Sequence, residues 1–152
     1  MEITDQDRRL LRLLQRDGRM SNQELAEAAA MSTSACWRRV RALEAAGVIR
    51  SYAAVVAPKA CGLGFHAVVH VQLARHDERF VEQFVEAIAR RPEVLDCFAT
   101  TGEADYHLRV LCADLEAYNL FLERFLFRLP GVKSARTNLV LREVKQEVAV
   151  PL

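Results

Sequence analysis

The sequence predicts an α+β protein in which three short helices are followed by strands and helices in the order βαββαβ. Two patterns predict it. Within the first 46 residues, apolar side chains recur at helical spacing between polar capping residues. Beyond residue 64, β-branched runs typical of strands alternate with two amphipathic helical patterns. The chain has 152 residues, of which 51% are apolar, so it can bury a packed core.

The overall charge balance excludes functions that depend on a strongly charged chain. The net charge is only +1, so any attraction to nucleic acid must come from local placement of charges. No run approaches the roughly 18 apolar residues of a membrane span, and the first residues do not resemble a signal peptide. Four well-separated cysteines without a CxxC pair are expected to be reduced thiols. We expect a cytoplasmic protein with no membrane partner.

The first segment predicts three capped helices. Thr4 is expected to cap the first helix and Gly18 to end it. Ser21-Asn-Gln-Glu24 matches a capping box, which predicts a second helix running to about residue 30. The third helix is expected from Ser32 to about residue 46, with Gly47 able to terminate it. Two short helices separated by so few residues indicate a helix-turn-helix, and the β-branched residues 48–56 predict a strand pair or wing.

The joint between the two segments is predicted near residue 58. Residues 58–64 contain one proline and two glycines between patterned runs, which is typical of a linker. The expected organisation is a winged helix-turn-helix domain over residues 1–57, a linker over 58–64 and an αβ domain over 65–152.

The second segment predicts four strands, over residues 65–73, 94–101, 106–112 and 135–144. One helix is expected around residues 81–88, ended by Pro92, and another is expected to be capped by Asp114 and stopped by Pro130. This order is the split, ferredoxin-like arrangement. Its two helices cover one face of the sheet, and the other face, if apolar, would be the place to dimerise.

One side of the third helix is suited to DNA. At 100° per residue, Cys36, Val40 and Leu43 form a buried edge, and two arginines, a hydroxyl and an indole lie opposite. Arginine binds guanine edges or phosphates, and hydroxyl groups bind backbone or bases. An ordinary solvated basic face is the alternative. The expected DNA-binding residues are Ser32, Thr33, Ser34, Trp37, Arg38 and Arg41.

A single copy of this module offers few positive charges. Because each neutralised phosphate adds only a modest gain in affinity, useful binding to double-stranded DNA requires at least a dimer on half-sites about one helical turn apart.

The turn Thr101-Gly-Glu-Ala-Asp-Tyr106 is the most unusual stretch of the second segment. Backbone N–H groups at Gly102 would suit a carboxylate, and Asp105 would suit an ammonium group. A plain hairpin turn, with glycine at positive φ, is the alternative from spacing alone.

The whole chain resembles the Lrp/AsnC family of transcription regulators. The resemblance rests on residues 5–22, Arg39–Ile49, Gly102–Tyr106, and Leu129-Pro-Gly-Val132 with Arg136-Thr137, in that order and spacing. It implies a winged helix-turn-helix joined to a ligand-sensing domain, with amino acids as effectors. It also implies homodimers that assemble into octamers, and control of amino-acid metabolism or transport genes.

The same resemblance implies where the effector binds, which is near the strand-turn-strand around residues 101–108. The positions it carries over are Thr101, Gly102, Asp105, Tyr106, Leu108, Arg136 and Thr137. Two positions depart from the family pattern: Ala104 stands where a large aromatic is frequent, and His107 where an aliphatic is frequent. The missing ring leaves room, so we expect the pocket to accept a bulkier or different amino acid than leucine.

An enzyme is the main competing interpretation. His66 and His70 lie on one strand face, but no tight ligand pair accompanies them, so no metal, other cofactor or catalytic residue is expected. Some sirohaem decarboxylases resemble the same family in both domains. Such an enzyme would need a larger cavity lined by His or Arg, and would have no reason to turn Arg38 and Arg41 outward.

Overall fold

The structure of the chain is a computed structural model that describes residues 1–74 and 78–152. It forms two compact units, one made of residues 1–55 with 145–152 and the other of residues 56–144. In the described part of the chain, no helix has the length and apolar character needed to cross a membrane.

The first unit contains three helices, α1 (Asp5–Arg16), α2 (Asn22–Ala29) and α3 (Thr33–Ala45). Thr4, Ser21 and Ser32 cap them as predicted, and each side chain accepts a hydrogen bond from a backbone N–H in the first turn. Gly47 follows α3 with φ of 69°. A small apolar core joins the helices, formed by Leu10, Leu25, Ala26, Ala29 and Cys36.

The predicted strand or wing over residues 48–56 does not form in the single chain. Residues 51–57 carry no strand hydrogen bonds, and Val55 and Val56 are exposed. The β-branched residues favour an extended backbone, but a strand also needs a neighbouring strand to pair with, and among the described residues none is positioned to do so.

The C-terminal residues 145–152 group with the first unit, whereas the sequence assigned them to the second domain. The side-chain amide of Gln15 on α1 forms two hydrogen bonds with the backbone of Val150. Its N–H donates to the Val150 carbonyl, and its oxygen accepts from the Val150 N–H. Arg12 Nε also donates to the carbonyl of Leu152, at 2.7 Å. Nothing in the local sequence pattern of this tail identifies a partner so distant along the chain.

The second unit has the predicted βαββαβ order and confirms the ferredoxin-like fold class. Its elements are β1 (Phe65–Leu73), α4 (Glu78–Ala89), β2 (Val94–Ala99), β3 (Tyr106–Cys112), α5 (Leu115–Arg124) and β4 (Val132–Leu139). The strands form one antiparallel sheet in the order β2-β3-β1-β4. Short 3₁₀ turns at Pro58–Cys61 and Leu126–Arg128 precede β1 and β4.

The last strand was predicted over residues 135–144, and its position was wrong by several residues. It begins at Val132, directly after Gly131 turns the chain with φ of 84°, and a register shift near Leu73 sets its pairing with β1. The Val140 N–H donates to His66 as the last contact with that strand. Leu141 and Val144 beyond it are 91% and 85% exposed. The apolar alternation that predicted strand there therefore belongs to an exposed tail of the unit.

The two faces of the sheet differ sharply. One face packs on α4 and α5 around Val69, Val71, Leu108 and Phe84, which are all fully buried. The other face was expected to be apolar if it were a dimer interface. It is largely polar, with Gln72, Ser134 and Asn138 beside the charged or titratable residues His66, His70, His107, Arg109 and Arg136.

Candidate nucleic-acid interface and ligand pocket

The third helix is fixed to the first unit by its apolar edge. Cys36 and Leu43 are fully buried and Val40 is partly buried, as the wheel predicted. Because this edge faces the other two helices, the opposite side of α3 is left to solvent.

A buried ion pair, which sequence reasoning missed, also holds α3. The Asp7 carboxylate on α1 is fully buried and accepts hydrogen bonds from Arg39 Nε and Nη2 and from the Thr4 N–H and O–H. These bonds, above all those from Arg39, hold the pKa of Asp7 well below its usual range although burial opposes the shift. The two residues are 32 positions apart, so no local pattern links them. Arg39 therefore faces inward, between two arginines that face outward.

The outward side of α3 carries the predicted residues Ser34, Trp37, Arg38 and Arg41, all exposed. The indole of Trp37 is 56% exposed, although tryptophan is usually well buried. Ser32 has a second task, since its Oγ accepts the Ala35 N–H and caps the helix. The exposed Thr33 offers its backbone carbonyl to the Asn22 amide.

Arg41 is held in place on the helix surface. Its Nη1 lies 3.2 Å from Glu44 Oε2, and its guanidinium carbon lies 5.7 Å from the centre of the Trp37 ring. The Arg41 side chain stays 63% exposed, so this is a surface pair and not an internal lock.

The second unit has a pocket of about 190 Å³ on the helix-free face of the sheet. It is lined by His70, Gln72, Glu103, Ala104, Ser134 and Arg136. At its mouth, Arg136 Nη2 and Glu103 Oε2 are 3.6 Å apart, and both side chains are largely exposed. The Gln72 side-chain amide also lines the pocket, donating to the Glu103 carbonyl and accepting from Ser134 Oγ.

The residues that the resemblance assigned to the effector are not gathered in this pocket. Only Arg136 lines it. Tyr106 packs against Phe84 of α4, Leu108 is fully buried in the core, and the hydroxyls of Thr137 and Tyr118 share a hydrogen bond on the helix-covered face. Strand alternation places Thr137 on the opposite face from its neighbour Arg136, and this signal was available in the sequence. The register of the sheet places residues 106 and 108 on the same face as Thr137.

The remaining three candidates lie in the turn beside the pocket. Thr101 and Gly102 are exposed, and Gly102 has φ of 117°, a conformation that favours glycine. Asp105 was expected to bind an ammonium group. Its carboxylate accepts the Leu73 N–H at 2.7 Å, and its own N–H donates to Val71, so it ties the turn to β1.

Sequence reasoning missed four of the pocket residues, namely His70, Gln72, Glu103 and Ser134. The ring of His70 contacts that of His107, with centroids 4.5 Å apart. Burial lowers the pKa of His70, and His107 and Arg136 lower it further, so the ring is neutral near pH 7. Among the described residues, no group of three or more His, Cys, Asp or Glu is placed to hold a metal ion.

The chain combines a helix-turn-helix, whose basic helix faces outward, with an αβ unit that carries a polar pocket. This combination defines a ligand-binding transcription regulator. Comparison with known proteins gives the same class. Residues 3–50 match the family model described as winged helix-turn-helix DNA-binding, and residues 66–150 match the Lrp/AsnC ligand binding domain. The chain belongs to the Lrp/AsnC family of transcription regulators.

Individual relatives agree over nearly the whole length. The chain is 39% identical over 140 residues to the leucine-responsive regulatory protein of Escherichia coli, covering 92% of this chain and 85% of that one. It is 34% identical over 146 residues to the DNA-binding transcriptional activator DecR of the same species, covering 96% of each. A solved transcriptional regulator of Neisseria meningitidis in complex with L-Met has a TM-score of 0.93 at 38% identity, covering 99% and 97%.

Proposed function

We propose that this chain binds specific DNA sites through the outward face of α3 and regulates genes of amino-acid metabolism or transport in response to a bound amino acid. The observation that carries the proposal is that the arginines of α3 point in different directions. Arg39 faces inward and pairs with Asp7, whereas Arg38 and Arg41 are exposed on the outward side. The name of one relative, the DNA-binding transcriptional activator DecR, supports it.

The DNA-binding face is tested with the DNA upstream of the chain's own gene. Arg38→Ala and Arg41→Ala are measured by fluorescence anisotropy over a range of salt concentrations. A base-contacting arginine costs about 1–3 kcal/mol when removed, and a phosphate-contacting one reduces the salt slope by about one. Arg90→Ala removes an exposed arginine just after the end of α4 and is the matched control. Wild-type binding by both α3 variants would refute the assignment.

The pocket suits the two charges of an amino acid. Arg136 offers a guanidinium that binds carboxylates in a fork, and Glu103 offers an anion for the ammonium group. Both already face the same space 3.6 Å apart, and because they are exposed, their mutual contact is weak and a ligand that replaces it loses little. A structure of a Mycobacterium tuberculosis feast or famine regulatory protein with L-methionine supports an amino-acid effector (TM-score 0.85, 30% identity, 97% of each chain).

Calorimetry with a panel of amino acids tests this site. Glu103→Gln keeps the shape of the side chain and removes its charge, and Arg136→Gln replaces the guanidinium by a shorter neutral amide, so each is expected to weaken binding at least tenfold. Arg142→Gln, an exposed arginine outside the pocket, is the control. Unchanged affinity in both pocket variants would place the effector elsewhere.

Ala104 sets the size of the ligand that the pocket admits. Its methyl group is buried in the pocket wall, so a larger side chain there would fill part of the 190 Å³. Ala104→Phe is expected to weaken binding of large amino acids more than of small ones. In the wild-type protein, equal affinity for glycine and for large amino acids would contradict the size argument.

The functional unit is proposed to be a homodimer, assembling further into an octamer as a tetramer of dimers. The face of the sheet that no helix covers is largely polar, which argues against an apolar dimer interface on that face. The apolar residues Leu139, Leu141 and Val144 at and beyond the end of edge strand β4 are exposed and offer a better surface to a second copy. Sedimentation of the wild type and of Leu141→Glu with Val144→Glu tests this, and unchanged assembly of the variant would exclude this surface.

A sirohaem decarboxylase remains the alternative of a different class. The outward placement of Arg38 and Arg41 and the regulator names of the relatives favour regulation. Mixing the protein with sirohaem is the direct test, and a shifted absorbance spectrum with turnover would favour the enzyme.

A further inference from the structure

A chain of polar contacts links α3 to the segment that follows it. The Tyr52 O–H donates to Glu44 Oε1 at 3.0 Å, and Glu44 Oε2 accepts from Arg41 Nη1 at 3.2 Å. The two oxygens of one carboxylate therefore connect Tyr52 with an arginine of the outward face. Glu44 is only partly exposed, so its carboxylate is less free to rotate than one in open water.

Tyr52 is itself anchored within the first unit. Its ring lies against Gly18 after α1, where an added Cβ would come within 3.4 Å of Tyr52 Cδ1. Burial raises the pKa of Tyr52 and Glu44 raises it further, so at neutral pH the hydroxyl keeps its proton and acts as the donor. Val55 and Val56, further along the same segment, are more exposed.

We propose that Tyr52 is a positioning residue for DNA recognition, acting on Arg41 through Glu44. The donated hydrogen bond fixes the carboxylate so that its second oxygen faces Arg41. Glu44 engages Nη1 of that arginine and leaves Nε and Nη2 available for an acceptor on DNA. An arginine already held in one direction loses less conformational freedom on binding, which strengthens the specific complex. The inference rests on the proposed role of Arg41 in DNA binding.

The position of Tyr52 in the chain gives this contact a further consequence. Residue 56 begins the second unit, only four residues beyond Tyr52. A displacement of this short segment would remove the Tyr52 hydrogen bond from Glu44 and leave the carboxylate that contacts Arg41 free to rotate, without any change in the α3 backbone.

The test is Tyr52→Phe in the full chain, which removes one hydroxyl and keeps the ring against Gly18. We expect affinity for the specific site to fall about 3- to 10-fold relative to random DNA, as for the loss of one hydrogen bond. The salt slope should stay unchanged because no charge is removed. Thermal unfolding identifies any general loss of folding. Glu44→Gln keeps the shape of the side chain but weakens its contact with Arg41. It should also lower the ratio of the affinity for the specific site to the affinity for random DNA.

A double-mutant cycle separates positioning from a merely structural role. If Tyr52 acts through Arg41, Tyr52→Phe has no further effect in an Arg41→Ala background. An equal loss in both backgrounds overturns the proposal, as does an unchanged or raised specific affinity in Tyr52→Phe alone. If Arg41→Ala binds normally but Arg38→Ala does not, the positioning role fails and the proposed DNA-binding function stands. If neither arginine matters, the proposed function itself fails.

Discussion

At the scale of single residues, Asp7 shows why a charge can be buried in so small a unit. An ionised carboxylate taken out of water is costly unless it is paired and hydrogen-bonded. Asp7 meets both conditions, because Arg39 forms a bidentate ion pair with it and Thr4 supplies two further hydrogen-bond donors. The same carboxylate closes the cap of α1 and orients α3, so one side chain serves two elements.

Replacing Asp7 with asparagine is expected to lower the free energy of unfolding by about 1.5–3 kcal/mol, the range for hydrogen bonds to charged groups. The amide would leave the Arg39 guanidinium without its counter-charge. Urea unfolding monitored by Trp37 fluorescence measures the loss. Asp5→Asn changes an exposed carboxylate on the same turn and should cost less than about 1 kcal/mol. Equal losses in the two variants would contradict a special role for the buried pair.

The same pair predicts acid sensitivity. Arg39 and Thr4 hold the pKa of Asp7 well below its usual range in the folded protein, and in the unfolded chain it returns to about 3.9. The stabilisation is therefore present above about pH 4 and is lost as the pH falls further. The difference between the urea midpoints of wild type and Asp7→Asn should stay constant above about pH 5 and shrink steadily as the pH falls from about 4 towards 2. A gap that stays constant over this interval would show that Asp7 does not titrate as described.

Residue-level prediction from sequence succeeded where only local geometry was needed. The helical wheel placed Arg38 and Arg41 outward because their direction follows from Cys36 and Leu43 on the same helix. It said nothing of Arg39, whose partner lies 32 residues away. In the pocket, Glu103 and Arg136 meet only because β3 and β4 flank β1 in the sheet, and sheet order is not written in either strand.

At the scale of elements, the turn between α2 and α3 contains a strained residue. Ala30 ends α2 in the left-handed conformation, with φ of 55° and ψ of 49°, which glycine adopts far more easily. A side chain in this conformation costs about 1–2 kcal/mol. The turn sets the angle between the two helices of the helix-turn-helix, so the strain lies at a functional joint.

Ala30→Gly is therefore expected to raise the free energy of unfolding by about 0.5–1 kcal/mol. The relief of strain exceeds the added entropy of glycine in the unfolded chain, which is worth about 0.4–1 kcal/mol. Thermal unfolding measures the gain. Ala28→Gly is the matched control, because Ala28 is exposed within α2 and its loss should destabilise by about 0.5–1 kcal/mol. Destabilisation by both variants would mean that Ala30 is not strained.

Helices were predicted more accurately than strands for a physical reason. A helix satisfies its hydrogen bonds within itself, and its caps at Thr4, Ser21 and Ser32 are local in sequence. A strand exists only with a partner. Residues 51–57 and 141–144 both have strand-like composition, and neither forms a strand because no strand in the described chain pairs with it.

At the scale of the whole molecule, the chain passes between its two compact units twice, after residues 55 and 144. The second passage ends in the tail 145–152, which binds α1 through Gln15 and Arg12. The reciprocal bonds of Gln15 to the Val150 backbone imitate the pairing of a neighbouring strand. They satisfy the N–H and carbonyl of Val150, in a segment that forms no helix or strand.

Removing residues 145–152 should therefore weaken the first unit selectively. The three hydrogen bonds involved lie at the surface, so the expected loss is about 1–2 kcal/mol, near the net value of one or two ordinary bonds. Hydrogen exchange should show faster opening of α1 and unchanged protection of β1 and β3. Gln15→Ala should reproduce part of the loss in the full chain and add nothing in the truncated one. An equal loss of protection in both units would contradict this prediction. It would show that residues 145–152 stabilise both units, although they contact the first.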